Sequence, residues 1–319
     1  MWAWLRYGPA IANSTDLRLI SQWDSLDPHQ KTVLSDDFGV GFTTQLFAEL
    51  LDFRLFADTN YVLQLIKPPT SIYKVKSKRG PSKTPDFVVL DANDNLSILE
   101  CKGSQHSLDR LRDAVSDGVV QKGNLNLQSS LVKHRLSAGL FIPQNRSADI
   151  ATLYIKDPPS PMLEKLLSSI SFEDLKVSII QVALAKEFAL MGMDAIANAL
   201  VDTQILYDQQ LAVPVTIDLS RSRRRESFIV FEHSLPLPYV NTTFQGTHIT
   251  RVNFTMECPR DRYTQIIESN DLRSELLKIS ESMRNARWSS ESTDFAATVW
   301  TPLGFKVSLE YEPIKTRRR

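Results

Sequence analysis

The chain of 319 residues, 42% hydrophobic and 23% charged, has the composition of an ordinary globular protein and exceeds the usual size of one core, so two domains, or one with a large extension, are expected. Its formal net charge of 0 excludes a global attraction to polyanions or membranes and leaves any such affinity to local clusters. Cys101 and Cys258 form no CxxC pair, which argues against a disulfide framework or a structural zinc site and fits a reducing cytoplasm; no run of about 18 uncharged apolar residues predicts a membrane span.

The opening MWAWLRYGPA is apolar, but Arg6 and Pro9 break it and leave it too short for a signal-sequence core. Asp36 or Ser35 is placed to cap a helix running to about residue 52. Phe38, Phe42, Leu46 and Phe53 mark its buried face, and Glu49 lies on the same face. A strand is predicted over residues 61–66, stopped by Pro68 and Pro69. The loop KVKSKRGPSK that follows carries five positive charges, Lys74, Lys76, Lys78, Arg79 and Lys83, and no acid.

Residues 84–103, TPDFVVLDANDNLSILECKG, predict a β-hairpin, because the apolar runs 87–90 and 96–99 flank the turn-rich residues 91–95. A turn centred on Asn93 sets Val88 against Ile98, Leu90 against Leu96 and Asp86 against Glu100. Glu100 and Lys102, two apart, share a face, so two carboxylates and an amine converge at the open end. A slip of one residue would break this alignment. Ser107 then caps a helix in which Leu108, Leu111, Val115 and Val119 repeat at helical spacing up to about Gly123, and strands are predicted over residues 136–142 and 151–155.

The run Asp157, Pro158, Pro159, Ser160, Pro161 reads as a boundary between residues 1–157 and an α+β domain over 158–319. That second part reads as helical over 160–206, then as strands over 212–219, 226–233 and 247–256. A helical stretch over 260–287 and one or two strands over 296–311 follow. Arg221, Arg223, Arg224 and Arg225 form a second basic cluster, and residues 317–319 a third. The five histidines lack metal-ligand spacing, and there is no nucleotide-binding Gly-rich loop.

Pro85-Asp86, thirteen further residues, then Glu100-Cys101-Lys102 resembles the signature of the PD-(D/E)xK nuclease superfamily, across roughly residues 36–145. The resemblance implies an α/β, restriction-endonuclease-like αβββαβ sandwich. It also implies a metal-dependent DNA endonuclease of the prokaryotic defence or restriction type. Phosphodiester hydrolysis asks an enzyme for about 15 to 20 kcal/mol of barrier reduction. Asp86 and Glu100 would hold Mg2+ or Mn2+, with the Cys101 carbonyl as a further ligand. The metal would polarise the phosphoryl oxygen and lower the pKa of a water, and Lys102 would orient that water or stabilise the developing charge.

Glu49 is the candidate for the acid that the family carries on its first helix; its plainer reading is a glutamate reaching water from the edge of an apolar face. Gln121 stands where some members have a glutamine, but Leu125 replaces the tyrosine that follows it there. The basic loop Lys74, Lys76, Lys78, Arg79 and Lys83 would meet backbone phosphates, or is simply a solvated loop. DNA is the expected partner, and RNA is compatible with the same chemistry. The lack of an ATPase motif assigns any energy-driven step to an ATPase or helicase-type partner protein, and a homodimer would let two sites cut both strands. The alternatives are a catalytically silent DNA-binding or assembly subunit, and a hairpin with a fortuitous ion pair worth about 0 to 1 kcal/mol.

Overall fold

The structure, a computed structural model, describes residues 10–12, 14–66, 84–122, 132–157, 171–202, 222–225, 227–237, 243–244 and 247–313. The protein is of the mixed α/β class and divides into two compact units, residues 1–182 and 183–319. That division falls inside a helix, α4 (Phe172–Leu190), whereas the proline-rich run places the boundary at 157/158.

The first unit is built on a five-stranded sheet whose strands lie in chain order: β1 (Phe53–Asp58), β2 (Phe87–Asp91), β3 (Leu96–Ser104), β4 (Val132–Phe141) and β5 (Thr152–Lys156). Neighbours are antiparallel except β3 and β4, which run parallel and are joined across one face by helix α3 (Leu108–Lys122). Helix α1 (Pro28–Leu50) covers the other face. Phe47 packs there with Leu99, Cys101, Leu136 and Ala138, and Leu34 and Phe38 pack with Leu140 and Ile142. On the α3 side Leu111 and Val115 pack on Phe141.

The first helix starts about two turns before the expected cap. Asp27 accepts hydrogen bonds from the backbone N–H groups of His29 and Gln30 at 2.9 and 3.1 Å, and Pro28 opens the helix. Ser35 and Asp36 are therefore mid-helix. Residues 61–66 are not a strand: they belong to helix α2 (Thr59–Ile66), where Val62 and Leu65 are buried at helical spacing. The strand is β1, where a bulge between Phe53 and Leu55 puts Phe53 and Phe56 on the face with Phe87, and Leu55 and Ala57 are buried beside Leu90 and Val88. Phe53 leaves the helical face because α1 ends at Leu50 and Asp52 takes a positive φ of 57°.

The hairpin has the expected register, with Val88 against Ile98 and Leu90 against Leu96. Its turn is tied by Asp91, whose Oδ1 accepts from the Asn93 and Asn95 backbone N–H groups at 2.8 Å each, and Asp94 has a φ of 61°. Glycines let α1 meet β3 backbone to backbone. A Cβ on Gly103 would overlap the Ser35 carbonyl, and one on Gly39 would overlap that of Lys102.

The second unit combines the end of α4 with helices α5 (Asp194–Val201), α6 (Arg260–Ile267) and α7 (Leu272–Met283) and an antiparallel sheet. On the main path the sheet order is β10 (Ser289–Ser292), β11 (Ala296–Trp300), β12 (Lys306–Pro313), β9 (Thr247–Pro259), β7 (Phe228–Pro236) and β6 (Ser222–Arg225). A short β8 (Thr243–Phe244) also pairs with β9. The stretch 260–287 is thus two helices, and 296–311 two strands. The strand expected at 212–219 and the arginines at 317–319 lie outside the described residues. Phe188 and Phe305 meet edge to face in its core, 5.5 Å between ring centroids. Among the described residues no helix is long and apolar enough to cross a membrane.

Candidate active site

Asp86 lies one residue before β2 and so falls opposite Glu100 on β3. Its backbone N–H donates to Glu100 Oε2 at 3.2 Å, and its own Oδ2 accepts from the Cys101 backbone N–H at 2.8 Å. The two carboxylates are therefore each bound to the other residue's strand. Glu100 is wholly buried, and its Oε1 pairs with the Lys102 ammonium, whose side chain remains 24% exposed. Period-two alternation sends the Glu100 and Lys102 side chains to the α3 side of the sheet and the Cys101 side chain into the core on the α1 side.

Gly118 of α3 allows this arrangement. A Cβ there would overlap Ser137 Oγ and lie 3.0 Å from Glu100 Cγ and 3.6 Å from Lys102 Cε. Ser137 in turn donates from Oγ to the Val115 carbonyl at 2.7 Å, which ties α3 to β4 at this level.

Burial pushes the Glu100 carboxyl up to about 7; the Asp86 charge adds to the rise and Lys102 opposes it. Burial also raises Asp86. The Cys101 N–H and Lys102 work against that rise, while Asp36 and Asp58 add to it. Asp36, on the exposed side of α1, has a raised carboxyl too, through the protein around it and through Asp37, with Lys102 opposing. Four acids and one lysine thus share one electrostatic neighbourhood at the end of the sheet.

Of the residues anticipated from sequence, Asp86, Glu100, Cys101 and Lys102 are brought together. Glu49 is not with them. It is exposed near the end of α1 and accepts a hydrogen bond from Gln45 Nε2 at 2.7 Å. The buried face of α1 runs through Leu34, Phe38, Thr43 and Phe47, and Glu49 lies off it. The α1 acid that faces the hairpin end is Asp36, and Asp58, which pairs with Phe87 at the end of β1, is a further one. No local pattern marks Asp36 in the sequence; its place follows from the approach of Gly39, three residues on, to the Lys102 backbone. Gln121 falls in the last turn of α3, and its side chain lies outside the described residues. So do Lys74, Lys76, Lys78, Arg79 and Lys83 of the basic loop, and Arg221. Arg223, Arg224 and Arg225 fall on β6.

The donor chemistry fits a hard divalent cation. Asp86 and Glu100 supply oxygen donors in a partly desolvated place where both carboxyls are raised and a cation would lower them. The Cys101 thiol, held far above its usual value by burial, offers no thiolate, so only its backbone could contribute. Among the described residues no group of three or more His, Cys, Asp or Glu is gathered in a metal-holding arrangement. Compared with known protein families, curated proteins and solved structures, the chain matches none.

Proposed function

We propose that the first unit is a metal-dependent nuclease of the restriction-endonuclease-like αβββαβ fold that hydrolyses DNA phosphodiester bonds. We read it as the endonuclease effector of a prokaryotic defence or restriction system working with a partner protein. The observation that carries this reading is Glu100, a wholly buried carboxylate paired with Lys102 and facing Asp86 across the hairpin. Burying charge is costly, and a hairpin end needs none of the three groups for packing. The strand order, the single parallel pair and the crossover helix support the same fold.

Asp86 and Glu100 are the residues that would hold Mg2+ or Mn2+, which supplies positive charge to the phosphoryl oxygens and activates water. Mg2+ commonly takes one or two protein carboxylates and completes its shell with water and phosphate, so two suffice. Lys102 is paired with Glu100 but still reaches solvent, where it would meet charge developing on a phosphate. Asp36 adds negative charge within electrostatic reach of Lys102.

The test is plasmid cleavage with Mg2+ or Mn2+, with and without EDTA, by the wild type and by Asp86→Asn, Glu100→Gln and Lys102→Met. Each variant is expected to lose cleavage by about a thousandfold or more. Metal-dependent cleavage that survives in all three would sink the assignment. The alternative is the silent DNA-binding or assembly subunit. It requires a wild type that binds DNA and cuts none with either metal.

A further inference from the structure

A cleft of about 320 Å3 opens in the first unit at the carboxyl ends of β3 and β4, the one parallel pair of its sheet. Ligands of α/β sheets collect at such ends, where the loops leaving two parallel strands diverge. One wall is Gln105 and His106, directly after β3 and three and four residues beyond Lys102. Another is residues 144–147, after β4. The third is the 3-10 turn Ser21–Ser25, which contributes Asp24. That turn is anchored rather than loose: Trp23 and Leu19 are buried against Leu140 and Ile142, and the Leu19 N–H donates to the Pro143 carbonyl at 3.0 Å.

The lining is polar, of mixed sign, and incompletely satisfied. Gln105 is only 5% exposed, and its Nε2 has no hydrogen-bond partner, although buried amides are almost always paired. Among the described residues the Asn145 and Arg146 side chains have no partner either; both are exposed at the rim. A phosphate would suit Arg146 but not the Asp24 carboxylate that lines the same cleft. An edge that both donates and accepts suits the whole set: amides and a carboxylate for N–H groups, a guanidinium for ring nitrogen and carbonyl.

We propose that this cleft receives a nucleobase from single-stranded DNA next to the cleavage position, with guanine preferred. Asp24 accepts from its N1–H and N2–H groups and Arg146 donates to O6 and N7. The Asn145 amide adds an edge contact, and the Gln105 amide, closed to solvent in the unliganded cleft, would turn outward to add a second. The placement of the base beside a cut site rests on the nuclease reading given above; the binding itself does not.

The experiment is fluorescence anisotropy in EDTA, which removes cleavage, with a labelled single-stranded oligomer carrying one central guanine and its twin with an abasic unit there. The wild type is expected to bind the guanine oligomer about tenfold more tightly, which corresponds to one good base contact. Asp24→Ala and Arg146→Ala, both at exposed positions that leave the fold intact, are expected to erase that difference. Equal affinity of the wild type for the two oligomers overturns the proposal. Free dGMP competing as well as the oligomer also overturns it, in favour of a site for free nucleotides. A protein that prefers the guanine oligomer yet cuts no plasmid with metal keeps this site and loses the nuclease reading. Cleavage with equal binding does the reverse.

Discussion

A carboxylate with no solvent contact needs compensation, and at Glu100 it comes from the Lys102 ammonium and the Asp86 N–H. Neighbouring acids then decide how much charge the site carries. Asp36 acts on both Lys102 and Asp86, whereas Glu49 is exposed and bound to Gln45. Under the nuclease reading, Asp36→Asn is expected to lower metal-dependent cleavage about tenfold to a hundredfold, and Glu49→Gln to leave it unchanged. Plasmid cleavage at saturating Mg2+ checks both, and a loss confined to Glu49→Gln would contradict the placement. Asp86, Glu100 and Lys102 were legible in the sequence because strand alternation and a turn anchored by Asp91 are local matters. The choice between Asp36 and Glu49 was not legible. It depends on where α1 begins and on which of its turns touches Gly103, a contact between residues far apart in the chain.

Elements meet at this site through glycines. Gly39 and Gly103 bring the α1 backbone onto β3 beside Lys102, and Gly118 lowers α3 onto Glu100 and Ser137. Gly103→Ala places a methyl against backbone that cannot rotate away, so it is expected to cost about 1 to 3 kcal/mol or more in denaturant unfolding. Gly118→Ala presses instead on side chains, 3.0 Å from Glu100 Cγ. Under the nuclease reading, cleavage is therefore expected to fall more than stability does, and the reverse order would show that Gly118 serves packing alone. Such contacts are hard to read from sequence, since a glycine in a helix signals only weakness there. The same difficulty explains residues 61–66. Their apolar run suits either a strand or a short helix, and the burial of Val62 and Leu65 under the rest of the fold decides for α2.

At the scale of the whole molecule the net charge of 0 supplies no steering field, so affinity for a polyanion has to be local, and each unit's stability follows its own buried charges. In the second unit one such charge is Glu187 on α4, 8% exposed, whose carboxyl is pushed up to about 7 by burial against the opposing Lys186 and the Thr301 hydrogen bond. Its folded value lies above the ordinary 4.5, so between those two values the folded form holds a proton that the unfolded form has released. The resulting stabilisation is complete below the lower value and disappears as pH rises through about 7, a change of up to about 3 kcal/mol. Glu187→Gln keeps the neutral shape and removes the titration. Hydrogen exchange on β12, in the same unit, is expected to show the wild type losing protection relative to the variant between pH 5 and pH 8. Glu100 titrates in the same range but lies in the first unit, so exchange on β3 reports it separately and is expected to be equal in the two proteins. Parallel pH profiles on β12 would mean that Glu187 is ionised in the folded protein, with its charge met by a partner stronger than Thr301.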